Sequence, residues 1–119
     1  MFEKNMQIAY LLDIYGDVLD EHARQIMKAY YEDDLSLSEI AEGEDISRQG
    51  IRHIIKKSEE ELLFLDERLK LSEHYTKLEN FFSELLKISD DLLSSDDKEK
   101  RGSAERINLL INRFGSNQY

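Results

Sequence analysis

Between Ser47 and Ser58 the chain carries Arg48, Arg52, Lys56 and Lys57 and no carboxylate, a local charge of +4 in a protein whose net charge is −10. Interleaved with these cations are Gln49 and His53. On a helix, residues three and four apart share a face, so Ser47, Arg48, Gln49, Arg52, His53 and Lys56 would point away from a core packed on the opposite side. The chemistry of such a strip is recognition of nucleic acid. Arginine pairs bidentately with guanine and glutamine with adenine in the major groove. Lys56 and Lys57, further along, suit phosphate oxygens, which position a protein without reading sequence. The same residues would also serve as a solvated helix face or as a dock for an acidic protein surface. Lys56 and Lys57 are spaced to pair with Glu60 and Glu61 for a few tenths of a kcal/mol each, by the usual order of such helix pairs.

Presenting that strip requires a helix held at a fixed angle, and the preceding residues supply one. Ser36 and Glu39 form a capping box that opens a short helix from Leu37 to about Gly43. A turn over Glu44-Asp45-Ile46 follows, and Ser47 caps the next helix. Ala41 is small where two helices would cross, Ile46 is apolar where a turn must be plugged, and Ile51, Ile54, Ile55 and Leu62 face inward. This is the pattern of a helix-turn-helix, placed at about residues 36–60. Asp45 occupies the position where such turns favour glycine; aspartate tolerates a left-handed backbone there at some cost.

The remainder of the chain supports this unit. Phe2 to Tyr15 reads as a helix with a wide apolar face, stopped near Gly16. Asp20 is an N-cap for a second helix whose stripe is Ala23, Ile26, Met27, Tyr30 and Tyr31, ended by the acidic run Glu32-Asp33-Asp34. From Glu59 to Ser95 the pattern is helical, with a change of apolar register near Leu69–Ser72 that predicts a break or a bend and leaves open whether residues 62–93 form one helix or two. Ser94 to Asp97 is a polar stop. A last helix, starting at Asp97 or Ser103, carries Ile107, Leu110, Ile111 and Phe114 on one stripe, and a tail from Gly115 is expected to fray. The expected fold is all-α: a helix-turn-helix domain over residues 1–71 and a C-terminal helical extension over 72–119. Leu78, Phe81, Phe82, Leu85 and Leu86 form the main apolar patch outside the motif. It would close against the first helix or form the seam of a homodimer, which would give a helix-turn-helix a second half-site.

Composition excludes much else. The chain has no Pro, no Cys, five Gly and 35% charged residues. Without cysteine there is no disulfide framework and no thiolate chemistry, which fits a cytoplasmic location. The N-terminus lacks the basic-then-apolar pattern of a secretory signal. No apolar stretch approaches the about 18 residues of a membrane span, so no membrane insertion is expected. His22 and His74 stand alone, whereas zinc needs three or four convergent ligands. Asp90-Asp91 and Asp96-Asp97 lack calcium-loop spacing and read as caps and solvated turns. No phosphate loop, nucleophile elbow, dinucleotide fingerprint or metalloprotease motif is present. The chain is therefore not expected to be an enzyme, and no cofactor or metal is expected.

Two stretches, Asp-Leu-Ser-Leu-Ser-Glu-Ile-Ala-Glu and Ile-Ser-Arg-Gln-Gly-Ile, make residues 19–71 resemble region four of bacterial sigma factors. The Tyr30-Tyr31 pair, the Ile-Lys-Lys-Ser-Glu continuation and the N-terminal Tyr-Leu-Leu-Asp-Ile-Tyr-Gly bring the chain nearer to the YlxM family, over nearly the first 80 residues. The resemblance implies a sigma-region-four-like helix-turn-helix with Arg48, Gln49, Arg52, His53 and Lys56 on its recognition helix. Genes of that family typically lie beside those of signal recognition particle components, which implies an accessory or regulatory role in that pathway. Three functions are open at this point. One is a regulator that binds double-stranded DNA. Another is an adaptor acting on the signal recognition particle protein or its receptor. The third is a sigma-like fragment that binds RNA polymerase.

Overall fold

In the computed structural model, which describes residues 4–116, six α-helices and one 3₁₀ turn account for the regular structure, with no strand among the described residues. They are α1 (Met6–Tyr15), α2 (Glu21–Tyr31), α3 (Leu37–Glu44), α4 (Arg48–Leu69), α5 (Leu71–Leu93) and α6 (Lys98–Ser116), with the 3₁₀ turn at Gly16–Val18. The fold is all-α.

Each helix starts where a side chain can satisfy its orphan amides. Asn5 accepts from the Gln7 amide at 2.9 Å, so α1 opens at Met6; Phe2, where the first helix was expected to begin, lies outside the described residues. Asp20 accepts from Ala23 at 2.9 Å. Ser36 and Glu39 complete both bonds of the capping box, each at 3.1 Å. Ser47 accepts from Gly50 at 3.0 Å. Asp97 accepts from Glu99 at 2.9 Å and sets the start of α6 at Lys98. Residues 117–119 of the tail expected to fray lie outside the described residues, while α6 itself runs on to Ser116.

Three helix ends turn through the left-handed region without glycine: Asp34 (φ 57°), Asp45 (φ 54°) and Lys70 (φ 56°). The break or bend expected near Leu69–Ser72 is a break at Lys70, and the long helical stretch is two helices, α4 and α5.

By internal contacts the chain divides into two units, one up to Glu73 and the other from His74. In the first, Ile8, Leu11, Leu12 and Tyr15 of α1 and Ile26, Met27 and Tyr30 of α2 meet Ile40 of α3 and Ile51, Ile55 and Leu62 of α4 in one buried cluster. α4 runs through the middle of it and touches α1, α2 and α3. Ile54, expected inward, is half-buried at the rim of that cluster. The second unit is a hairpin of α5 and α6. Ser89 Oγ donates to the Ala104 carbonyl at 2.9 Å, and Phe82 meets Phe114 with centroids 5.0 Å apart. Leu110, expected on one stripe with Ile107, Ile111 and Phe114, is 62% exposed. No described helix is long and apolar enough to cross a membrane.

Candidate nucleic-acid interface

The candidate surface begins at the joint between α3 and α4. Asp45 takes the left-handed conformation, and the Ile46 amide reaches back to the Ala41 carbonyl at 3.2 Å. This is the six-to-one closure of a Schellman motif, with Ile46 following the left-handed residue and packing onto the core. Ser47 then caps α4, so its hydroxyl is committed to the Gly50 amide while its residue stays exposed.

Gly50 matters for a reason that no spacing rule reveals. A Cβ there would stand 2.7 Å from Ile46 Cγ2 and 3.2 Å from Ser47 Oγ. The turn's plug and the helix cap both occupy the space that a side chain would need. Gly43 on α3 has nothing within 4 Å of the same probe position. Alanine gains about 1 kcal/mol over glycine inside a helix, whereas overpacking costs about 1–3 kcal/mol. Gly43→Ala should therefore stabilise the protein by up to about 1 kcal/mol. Gly50→Ala should destabilise it by about 1 kcal/mol net. Thermal unfolding of the two variants checks both, and a Gly50→Ala protein more stable than the parent would show that Ile46 yields freely.

All seven residues expected on the interface, Ser47, Arg48, Gln49, Arg52, His53, Lys56 and Lys57, are exposed. The structure brings four of them together: Gln49, Arg52, His53 and Lys56 line one shallow open groove of about 220 Å³. Their spacing of three and four residues makes them a single strip along α4. Arg48 and Lys57 fall outside that groove, on opposite flanks of the strip, as about 100° per residue requires. On the far side of the helix, Ile51, Ile55 and Leu62 are fully buried. The strip is thus carried by a helix whose rotation is fixed by its core.

A further tether holds α4 just beyond the strip. The Tyr31 hydroxyl on α2 donates to the Glu59 carboxylate. Burial and that hydrogen bond push the Tyr31 hydroxyl far above its usual range, so it stays a donor at any ordinary pH. Sequence reading placed Tyr31 on the inner stripe but had no signal for this pairing across 28 residues. Among the described residues no group of three or more His, Asp or Glu is placed to hold a metal ion.

Comparison with known proteins agrees with this architecture. The family described as "Putative helix-turn-helix protein, YlxM / p13 like" (UPF0122) matches residues 2–103. A UPF0122 protein of Clostridium botulinum strain Alaska E43 is 36% identical over 108 residues, covering 91% of this chain and 99% of the relative. One from Clostridium perfringens strain 13 is 36% identical over 110 residues, covering 92% and 98%. One from Shouchella clausii is 35% identical over 114 residues, covering 96% of each. With a capped, left-handed turn between α3 and α4 and relatives matched from end to end, this chain belongs to the UPF0122 family of YlxM/p13-like helix-turn-helix proteins.

Proposed function

We propose that the protein is a DNA-binding regulator that lays the first three turns of α4 into the major groove, in the manner of a sigma region four. The observation that carries this reading is the groove strip Gln49, Arg52, His53 and Lys56, held outward by the buried Ile51 and Ile55. Gln49 and Arg52 read base edges, and Arg48, Lys56 and Lys57 flank them toward the phosphates. Such a regulator works in the cytoplasm and needs no cofactor or catalytic group.

The test is binding to a labelled random-sequence duplex pool between about 50 and 200 mM salt. Affinity should fall with salt at a log–log slope of roughly −0.9 per phosphate contact. Repeated selection should enrich a defined sequence. Arg48→Ala with Arg52→Ala should weaken binding about tenfold to hundredfold, by the usual worth of one or two such contacts. No binding at the lowest salt, or binding indifferent to both substitutions, would refute the reading.

One observation favours a second reading. The helix before the turn exposes Glu39 and Glu42, and Asp45 lies exposed in the turn itself. In a DNA-bound helix-turn-helix the first helix crosses the phosphate backbone, where carboxylates are repelled. The same scaffold would then dock a protein, and a role on the signal recognition particle protein or its receptor belongs to this reading. It predicts altered GTPase activity of that particle–receptor pair on addition of the protein.

A further inference from the structure

We infer that His53 takes up a proton when α4 enters the major groove and reads guanine as an imidazolium, so that binding strengthens as pH falls. The inference rests on the DNA-binding reading above and adds a regulation to the same site.

Histidine is the side chain that ordinarily changes charge between about pH 5 and pH 8, and His53 is the histidine of the groove strip. Its place on the helix is the outermost. Ile51 and Ile55, two residues before and after it, are fully buried and stand about 200° around the axis. His53 is itself exposed and points straight away from the core. That is the line along which a recognition helix approaches base edges.

Within the chain, a protonated His53 has no acidic partner. One turn away on its face are Gln49, Lys56 and Lys57. Glu60 is seven residues on, about 10 Å along the axis, beyond the about 8 Å at which salt screens exposed charges. α1 and α2 meet α4 on its buried side, and His22 of α2 is paired with Glu44 at 2.9 Å. α3 and its turn bring the exposed Glu39, Glu42 and Asp45 to the start of α4. None of these bonds to His53 among the described residues.

DNA supplies the missing partners. The imidazolium has an N–H on both ring nitrogens, whereas the neutral ring has one N–H and one lone pair. Guanine offers acceptors on its major-groove edge, N7 and O6, and the phosphates beside it also accept. A neutral ring must turn its lone pair toward some of these acceptors; a protonated ring donates from both nitrogens. Adenine differs, because its N6 amino group is a donor and suits the neutral ring. Protonation therefore strengthens binding and raises the preference for guanine under His53. A group that holds its proton more firmly in the complex than in the free protein makes the complex tighter as pH falls, by the same linkage that governs folding.

The test uses the full chain and the random-sequence duplex pool, with selection and affinity measured between about pH 6 and pH 8 at one ionic strength. Uptake of one proton allows a slope of log affinity against pH between zero and about −1, so the parent should bind the enriched duplex about tenfold more tightly at the acid end. One position should be enriched as guanine at pH 6 and relaxed at pH 8. His53→Gln should bind at pH 6 no better than at pH 8 and lose that guanine preference, while His22→Gln should keep both effects. Binding at pH 8 that is flat down to pH 6, or a slope that survives His53→Gln, overturns this inference and leaves the DNA-binding reading standing. A gain on acidification that is equal for every sequence places the proton's partner on the phosphates and overturns the guanine assignment. No binding at either pH overturns both.

Discussion

Replacing Ile55 by alanine should cost about 4 kcal/mol of stability, toward the upper part of the about 2–5 kcal/mol seen for such truncations in cores. Ile55 is fully buried on α4, the helix that touches α1, α2 and α3, and belongs to the one buried cluster they share. For a domain whose total stability is about 5–15 kcal/mol, that loss is a large share. It should lower the melting temperature by about 15–25 °C at the usual few degrees per kcal/mol for a domain of this size. The neighbouring Ile54→Ala is the control. Ile54 sits half-buried at the rim, so its truncation should cost less than half as much. Equal costs at the two positions would mean that α4 is rotated from the register described, and that rotation would also turn Arg52 and Lys56 away from a common face. The thermal melts therefore test the presentation of the interface as well as the core.

The contrast between Ile54 and Ile55 also shows where the sequence is informative. Caps are local: Asp20, Ser36 with Glu39 and Ser47 each act on an amide two or three residues on, and each is found as expected. The left-handed Asp45 was readable for the same reason, since a turn between two capped helices must reverse at one residue. Helical periodicity gave the buried side of α4 and hence the exposed strip. It also put Arg48 on that face; Arg48 lies at the flank of the strip, outside the groove. What periodicity could not give is contact between distant residues. Gly50 looks like a defect in a helix until Ile46 is seen in the space its side chain would fill. Glu59 looks like one more surface carboxylate until it meets the Tyr31 hydroxyl. Lys70 carries no left-handed preference, so the break in the long helix could be bracketed but not assigned.

What fixes that break predicts the second large effect. Asp66, in the last turn of α4, accepts from the Tyr15 hydroxyl at 2.7 Å, the Ser72 amide at 3.1 Å and the Ser72 hydroxyl at 2.6 Å. The Tyr15 oxygen accepts in turn from the Leu71 amide at 3.1 Å. Two of the first orphan amides of α5 are thus satisfied by α1 and α4, and this network holds Lys70 in its left-handed turn. Hydrogen bonds to a charged group contribute about 1.5–3 kcal/mol, and Asp66 accepts three of them here, one from the hydroxyl of the buried Tyr15. Asp66→Ala should cost about 3 kcal/mol on that scale. The pH dependence separates this from mere loss of packing. Burial raises the Asp66 pKa, but the bonds from the Ser72 hydroxyl, the Tyr15 hydroxyl and the Ser72 amide outweigh it and hold the group below its usual range. A carboxyl whose folded pKa is depressed stabilises fully above its unfolded pKa of about 3.9 and loses that contribution as pH falls through the folded value. The stability gap between the parent and Asp66→Asn should therefore be constant above about pH 5 and narrow below about pH 4. Urea melts across that range read it directly. A gap that stays constant to pH 2.5 would mean that the charge of Asp66 is not what holds the joint between α4 and α5.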